Sequence, residues 1–167
     1  VPYVREKVRE SFTFEEVSTI LEYAMCYSNV RIGTAIITLL LTGLRRGELL
    51  GLRWDDLSND TLTINRSVYV VNGKPCVTEN VAKTAGSLRT VPIVPELSYR
   101  LHALPHNGMY IFGTKNGTLM NPRNFSRDYQ TFFRHLREDC PSVRSLSPHC
   151  CRHTFATLCL ESGNDIR

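Results

Sequence analysis

Residues 30–41 place apolar side chains on nearly every side of a helix, so other elements must surround this segment. The longest apolar stretch, residues 35–44, is broken by Thr38, Thr42 and Gly43. It falls well short of the roughly 20 residues that a bilayer crossing needs. The segment therefore reads as the centre of a protein core, and no membrane partner is expected. A chain of 167 residues is long enough to enclose one such core. With 42% hydrophobic and 22% charged residues, it falls in the class of globular rather than disordered chains.

The elements around that segment follow from periodicity and punctuation. Residues 1–12 are polar and charged and read as the remnant of a linker, with one domain over 13–167. Thr13 and Glu16 form a capping-box signature ahead of an apolar face made by Phe14, Val17, Ile20, Leu21 and Ala24. Thr42-Gly43 ends the central helix, and a short helix over 45–50 follows. The period then changes: residues 61–65 and 68–71 are rich in β-branched and aromatic side chains, and Asn72-Gly73 is a hairpin signal. Residues 77–83 and 89–94 predict two further strands around an Ala85-Gly86-Ser87 turn. Helices are expected from Pro95 to about 104, over 124–138 and over 148–161, with a loop at 105–122 that carries Tyr110-Ile111-Phe112. The fold class is mainly α with a small antiparallel β-sheet, an α+β arrangement.

Composition narrows the setting. No CxxC pair occurs among the six cysteines, Cys150 and Cys151 are adjacent, and no secretory signal opens the chain. These features favour reduced thiols and a cytoplasmic protein. The formal charge of +4 permits a nucleic-acid partner without requiring one. The chain opens on Val1 rather than Met, so it reads as cut from something longer.

Basic residues recur where packing alone would not put them. In Thr42-Gly43-Leu44-Arg45-Arg46-Gly47-Glu48, Arg45 stands at a helix start with Glu48 three residues on. The pair is either a surface ion pair worth about 0.2–0.5 kcal/mol or a guanidinium held ready for a phosphate. Lys83-Thr84 is expected at a hairpin tip, an ordinary place for Lys, and Arg89 follows the turn. In Ser147-Pro148-His149-Cys150-Cys151-Arg152-His153, Pro148 suits a first helical turn, which sets His149 and Arg152 on one face. Two donors projecting from a helix start make an anion site. Metal binding competes for this segment, since His149 and His153 are four apart with cysteines nearby. A zinc-protease helix would need Glu at position 150, which is Cys, and Arg152 would repel a dication, so no metal is expected.

Together the Thr-Gly-Leu-Arg-x-x-Glu box, the Lys-Thr hairpin and the Pro-His-x-x-Arg-His box resemble three signatures of the tyrosine recombinase (phage integrase) family, in the family's order. The resemblance runs from Thr13 nearly to the end of the chain. It implies site-specific cleavage and rejoining of double-stranded DNA through a 3′-phosphotyrosyl link, with no cofactor. By this match Arg45 and Arg152 clamp the non-bridging oxygens of the phosphate and His149 donates a hydrogen bond to it. Lys83 protonates the leaving 5′-oxygen, and Glu48 and His153 brace the site. The family places its nucleophilic tyrosine beyond the helix that carries the second Arg. All seven tyrosines here lie upstream of that point. The expectation is therefore a shortened catalytic domain with a phosphate pocket and no cleavage activity of its own.

Arg123, Arg127 and Arg134 fall at four- and seven-residue spacings on one predicted helix face. The family brings a helix of this region towards the major groove, so Arg123 and Arg127, with Arg46, Thr84 and Arg89, are candidate DNA contacts. The resemblance further implies a tetramer on DNA, a monomeric fragment in solution, and a bacterial, phage or mobile-element setting. A non-catalytic DNA-binding module is the alternative, although a binder would not need Lys83, His149 and both Arg residues together.

Overall fold

Thr13 has an extended backbone and accepts from the Glu16 amide at 3.2 Å, while the Glu16 carboxylate accepts from the Thr13 amide at 2.8 Å. This capping box opens helix α1, Phe14–Cys26, in a computed structural model that describes residues 9–79 and 89–163. The expected apolar face is shifted at its start. Phe14 is 68% exposed, and Phe12 takes the core position at 3%. The extended cap turns Phe12 inward, where it stacks on Phe133 and donates its amide to Thr154 Oγ1 at 2.9 Å. Phe12 and Val17, the residues before the cap and four into the helix, are both buried, the arrangement of a hydrophobic staple.

Helix α2, Val30–Thr42, has ten buried residues and is the core helix its composition requires. It packs against α1, α4, α5 and α6. Gly43 ends it in the left-handed region at φ 66, which a side chain would strain. Arg45 then acts as the N-cap of α3, Arg46–Leu50, which places its side chain at the entrance to the turn. Beyond a 3-10 turn, Trp54–Asp56, come strands β1 Thr61–Ile64, β2 Arg66–Val71, β3 Lys74–Glu79 and β4 Arg89–Pro92.

The strands pair differently from the sequence expectation. β2 and β3 form the hairpin at Asn72-Gly73, whose φ angles of 49 and 78 are those of a tight hairpin turn. β3 therefore starts at Lys74 rather than at Val77. β4 does not return against β3; it pairs antiparallel with β1, Thr61 opposite Pro92 and Ile64 opposite Arg89. Leu62 and Ile64 point into the core from β1, and the Ile93 amide following β4 bonds Asp60 O at 2.8 Å. An apolar face already present on β1 thus claims β4. The turn predicted at 85–87, together with Lys83 and Thr84, lies outside the described residues.

Helices α4 Pro95–His102, α5 Pro122–Asp139 and α6 Pro148–Glu161 complete the domain among the described residues, each with Pro in its first turn. α5 buries Phe125, Tyr129, Phe132, Phe133 and Leu136 along one face. No helix among the described residues is long and apolar enough to cross a membrane. All six cysteines are free.

One carboxylate ties the two ends of the domain. Besides capping α1, Glu16 accepts from the Arg144 amide at 3.0 Å, from Arg144 Nε at 3.0 Å and from Arg144 Nη2 at 2.8 Å. Arg144 is thus committed to α1. It fixes the loop that leads into α6. The Arg144 hydrogen bonds, working against burial, lower the Glu16 carboxyl from 4.5 to about 2. A carboxyl lowered in the folded state contributes its full stability above pH 4.5 and loses it as pH falls toward 2. Glu16→Gln should therefore cost about 1.5–3 kcal/mol at neutral pH, the range for hydrogen bonds to charged groups. Urea unfolding as a function of pH should show the gap to the unsubstituted chain closing as acid removes the ionised form.

Candidate active site

The α2–α3 turn and the start of α6 meet at a cavity of about 340 Å³ lined by Arg45, Arg46, Gly47, Ser147, Pro148 and His149. Two segments about a hundred residues apart in sequence are brought together because α6 packs on α2. The Arg45 side chain is 60% exposed, so its guanidinium is available to a ligand. His149 is exposed in the first turn of α6 and stands edge-on to His153, with ring centroids 4.5 Å apart. Burial first, then the neighbouring His149, Arg9 and Arg152, lower the His153 pKa below 6.5, which keeps that ring neutral at pH 7.

Glu48 braces Arg45 as the spacing suggested, but its main partner is another residue. Its carboxylate accepts from the Arg45 amide at 2.8 Å and from Arg45 Nη1 at 3.2 Å. It also accepts two bonds from Arg89, Nη1 at 3.0 Å and Nη2 at 2.9 Å, in a bidentate pair. Burial alone would raise the Glu48 carboxyl, which is only 5% exposed, yet the Arg89 and Arg45 bonds outweigh it and lower the pKa. Arg89, a candidate DNA contact in sequence, here has its guanidinium fork spent on Glu48. The β1–β4 pairing delivers it there, because β4 begins at Arg89.

Arg152 lies half-buried beside this group and donates from Nη1 to Gly43 O at 2.7 Å. Burial and then the charge of Arg45 lower its pKa, a sign that the two guanidinium groups share one field. An arginine remains cationic under such a shift. Three guanidinium groups thus face one carboxylate, and Arg89 already matches that carboxylate. The positive charge of Arg45 and Arg152 is left for an anion.

Of the candidate DNA contacts, Arg46 lies at the cavity and Arg123 and Arg127 lie on α5. Arg46 lines the cavity and bonds Ser126 Oγ on α5 at 2.7 Å, which joins the two surfaces. Arg123 and Arg127 project from the exposed face of α5, and Arg127 has only a 4.0 Å contact to Asp128. Among the described residues, no cluster of three or more metal-ligating side chains occurs. Sequence reasoning missed Ser147, which lines the cavity, and the Gly43 carbonyl as the partner of Arg152. A backbone acceptor leaves no composition signal.

A family model for phage integrases matches residues 10–167. A XerC-like tyrosine recombinase of Caldanaerobacter subterraneus subsp. tengcongensis is 28% identical over 184 residues, covering 95% of this chain and 45% of its own. Tyrosine recombinase XerC of Mesorhizobium japonicum is 34% identical over 142 residues, covering 80% of this chain and 39% of its own. This chain spans about half the length of the curated relatives it matches. The Tn1549 transposon integrase, solved with transposon right-end DNA, has the same fold, with a TM-score of 0.84 at 21% identity over 99% of this chain and 57% of that one. XerA recombinase superposes with a TM-score of 0.67 at 22% identity, over 100% of this chain and 55% of its own. The chain belongs to the phage integrase family of tyrosine recombinases.

Proposed function

We propose that this chain holds and activates one scissile phosphate of duplex DNA for site-specific strand cleavage and rejoining. The observation that carries the reading is an excess of positive charge over the single Glu48 carboxylate, with Arg45 and His149 lining one cavity and Arg152 bonded to Gly43 in the turn that carries Arg45. In this reading the two arginines bind the non-bridging oxygens, where negative charge grows in the transition state. His149 donates a hydrogen bond to the same phosphate, and neutral His153 holds the ring edge-on. A tyrosine oxygen bonds to phosphorus and the bond to the 5′-oxygen breaks, while Lys83 gives that oxygen its proton. The phosphotyrosyl link stores the phosphodiester for rejoining without ATP.

No tyrosine lines the cavity among the described residues. The reading therefore draws its nucleophile from outside them, on the segment that follows this domain in the whole protein. Arg46, Arg123 and Arg127 contact phosphates flanking the reacting one, with Thr84 beside Lys83. The assembly is a tetramer on DNA, in line with the solved lambda integrase tetramer bound to a Holliday junction, and the isolated chain is a monomer. The setting is the cytoplasm of a bacterium, where the DNA of a chromosome or mobile element is accessible.

Three outcomes test the reading. In the whole protein carrying this domain, a pool of nicked duplexes of randomised sequence should yield a covalent protein–DNA band on a denaturing gel. Arg45→Ala and Arg152→Ala should each slow its formation by about 10²–10³-fold. Binding without any band would leave a DNA-binding module. Lys83→Ala should slow cleavage by about 10²–10⁴-fold and recover most of that rate when sulfur replaces the leaving 5′-oxygen, since a thiolate departs without a proton. An unrescued loss would remove Lys83 as the acid. Arg123→Ala with Arg127→Ala should lower the slope of log affinity against log salt by about 2 in fluorescence anisotropy with duplex DNA.

A further inference from the structure

Arg152 and Phe155 are three residues apart on α6, and both meet the same residue on the far side of the α2–α6 contact. Arg152 Nη1 bonds the Gly43 carbonyl at 2.7 Å. The half-buried Phe155 ring covers the Gly43 α-carbon so closely that a β-carbon there would lie 3.0 Å from Cγ, 3.1 Å from Cε1 and nearer still to Cδ1. Gly43 is thus gripped on two sides, its oxygen by the arginine and its α-carbon by the ring. Two residues later the same turn delivers Arg45 as the cap of α3.

We infer that Phe155 is a positioning residue for Arg152: its ring against Gly43 sets how closely α6 stands to the α2–α3 turn, and so where the Arg152 guanidinium sits relative to Arg45. The physical need is specific. The guanidinium groups of Arg45 and Arg152 repel each other, and burial strengthens that repulsion. A single hydrogen bond to a carbonyl fixes one nitrogen but leaves the side chain free to swing about it. The ring supplies the second point of contact, through the backbone on both sides. A bulkier residue at position 43 would push α6 away, and a smaller one at position 155 would let it settle inward. Each change moves Arg152 relative to Arg45. The inference rests on the phosphate-holding reading only for its purpose, since the contact itself is independent of any ligand.

The test follows the Arg152 Nε–H signal by NMR, assigned by its loss in Arg152→Lys, in the unsubstituted chain and in F155L, F155A, G43A and G43A/F155A. Inorganic phosphate is the titrated probe, and thermal unfolding verifies that each variant is folded. G43A and F155A should each shift the Arg152 signal and weaken phosphate binding by about tenfold, the scale of a displacement of well under 1 Å. F155L, which keeps a bulky apolar group, should stay within about threefold of the unsubstituted chain. G43A/F155A should bind more tightly than G43A, because removing the ring relieves the clash that the new methyl creates. A purely structural role would instead make the two losses multiply. An unchanged Arg152 signal in folded F155A, or a double variant no better than G43A, overturns the inference. Should the signal respond as described while phosphate fails to move it in the unsubstituted chain, the positioning role stands and the phosphate-holding reading falls.

Discussion

Repulsion among like charges is the constraint around which this site is built. Arg45, Arg89 and Arg152 converge on one carboxylate, Glu48, and Glu48 is matched by Arg89 in a bidentate pair. The other two cations would separate in a flexible chain, because their repulsion grows as water is excluded. The fold opposes this by holding each from a different element: Arg45 as the cap of α3, Arg89 at the first residue of β4, and Arg152 one turn into α6. An anion that enters the cavity meets charge already in place and need not reorganise the protein.

That arrangement explains the economy of the surrounding scaffold. α2 is buried nearly all round, and the turn at its C-terminus leads directly into Arg45. The same turn presents the Gly43 carbonyl to Arg152, so both cations are positioned by the end of the buried core helix. α6 is located twice over. The Phe12 amide bonds Thr154 within it, and Glu16 grips Arg144 in the loop before it. Both anchors come from the start of α1. The capping box is therefore a tertiary device as well as a local one, since the Glu16 oxygen that caps Thr13 also accepts from Arg144 and the other accepts from Arg144 alone.

Local chemistry was legible in the sequence, and long-range partnership was not. The capping box at Thr13, the Asn72-Gly73 turn, the Gly43 stop and the Pro148 start all follow from backbone rules that act within four residues. Two of the motif boxes gave Arg45, His149 and Arg152; the fold sets Arg45 and His149 on one cavity and bonds Arg152 to Gly43 in the turn before Arg45. The pairing of β4 with β1 was not legible, because two strands joined by a turn signal suggest a hairpin regardless of which apolar face needs covering. The partner of Arg89 was hidden for the same reason: Glu48 is 41 residues away, and the β1–β4 register brings them together. The exchange of Phe14 for Phe12 turned on the extended conformation of one cap residue, which helical periodicity does not count.

The division of labour between Glu48 and Gly43 bears on how a site can hold two arginines near one phosphate. Had Arg152 been matched by a carboxylate, as Arg89 is, its charge would be cancelled and could not be offered to an anion. A backbone carbonyl orients the guanidinium through one N–H while leaving the full positive charge and the remaining donors in play. The carbonyl dipole is enough to fix direction and too small to neutralise. Glu48 is better placed on Arg89, which it pairs in bidentate fashion, and on the Arg45 amide, where it fixes the turn and takes only one side-chain bond. Charge is thus neutralised at Arg89 and left available to an anion at Arg45 and Arg152.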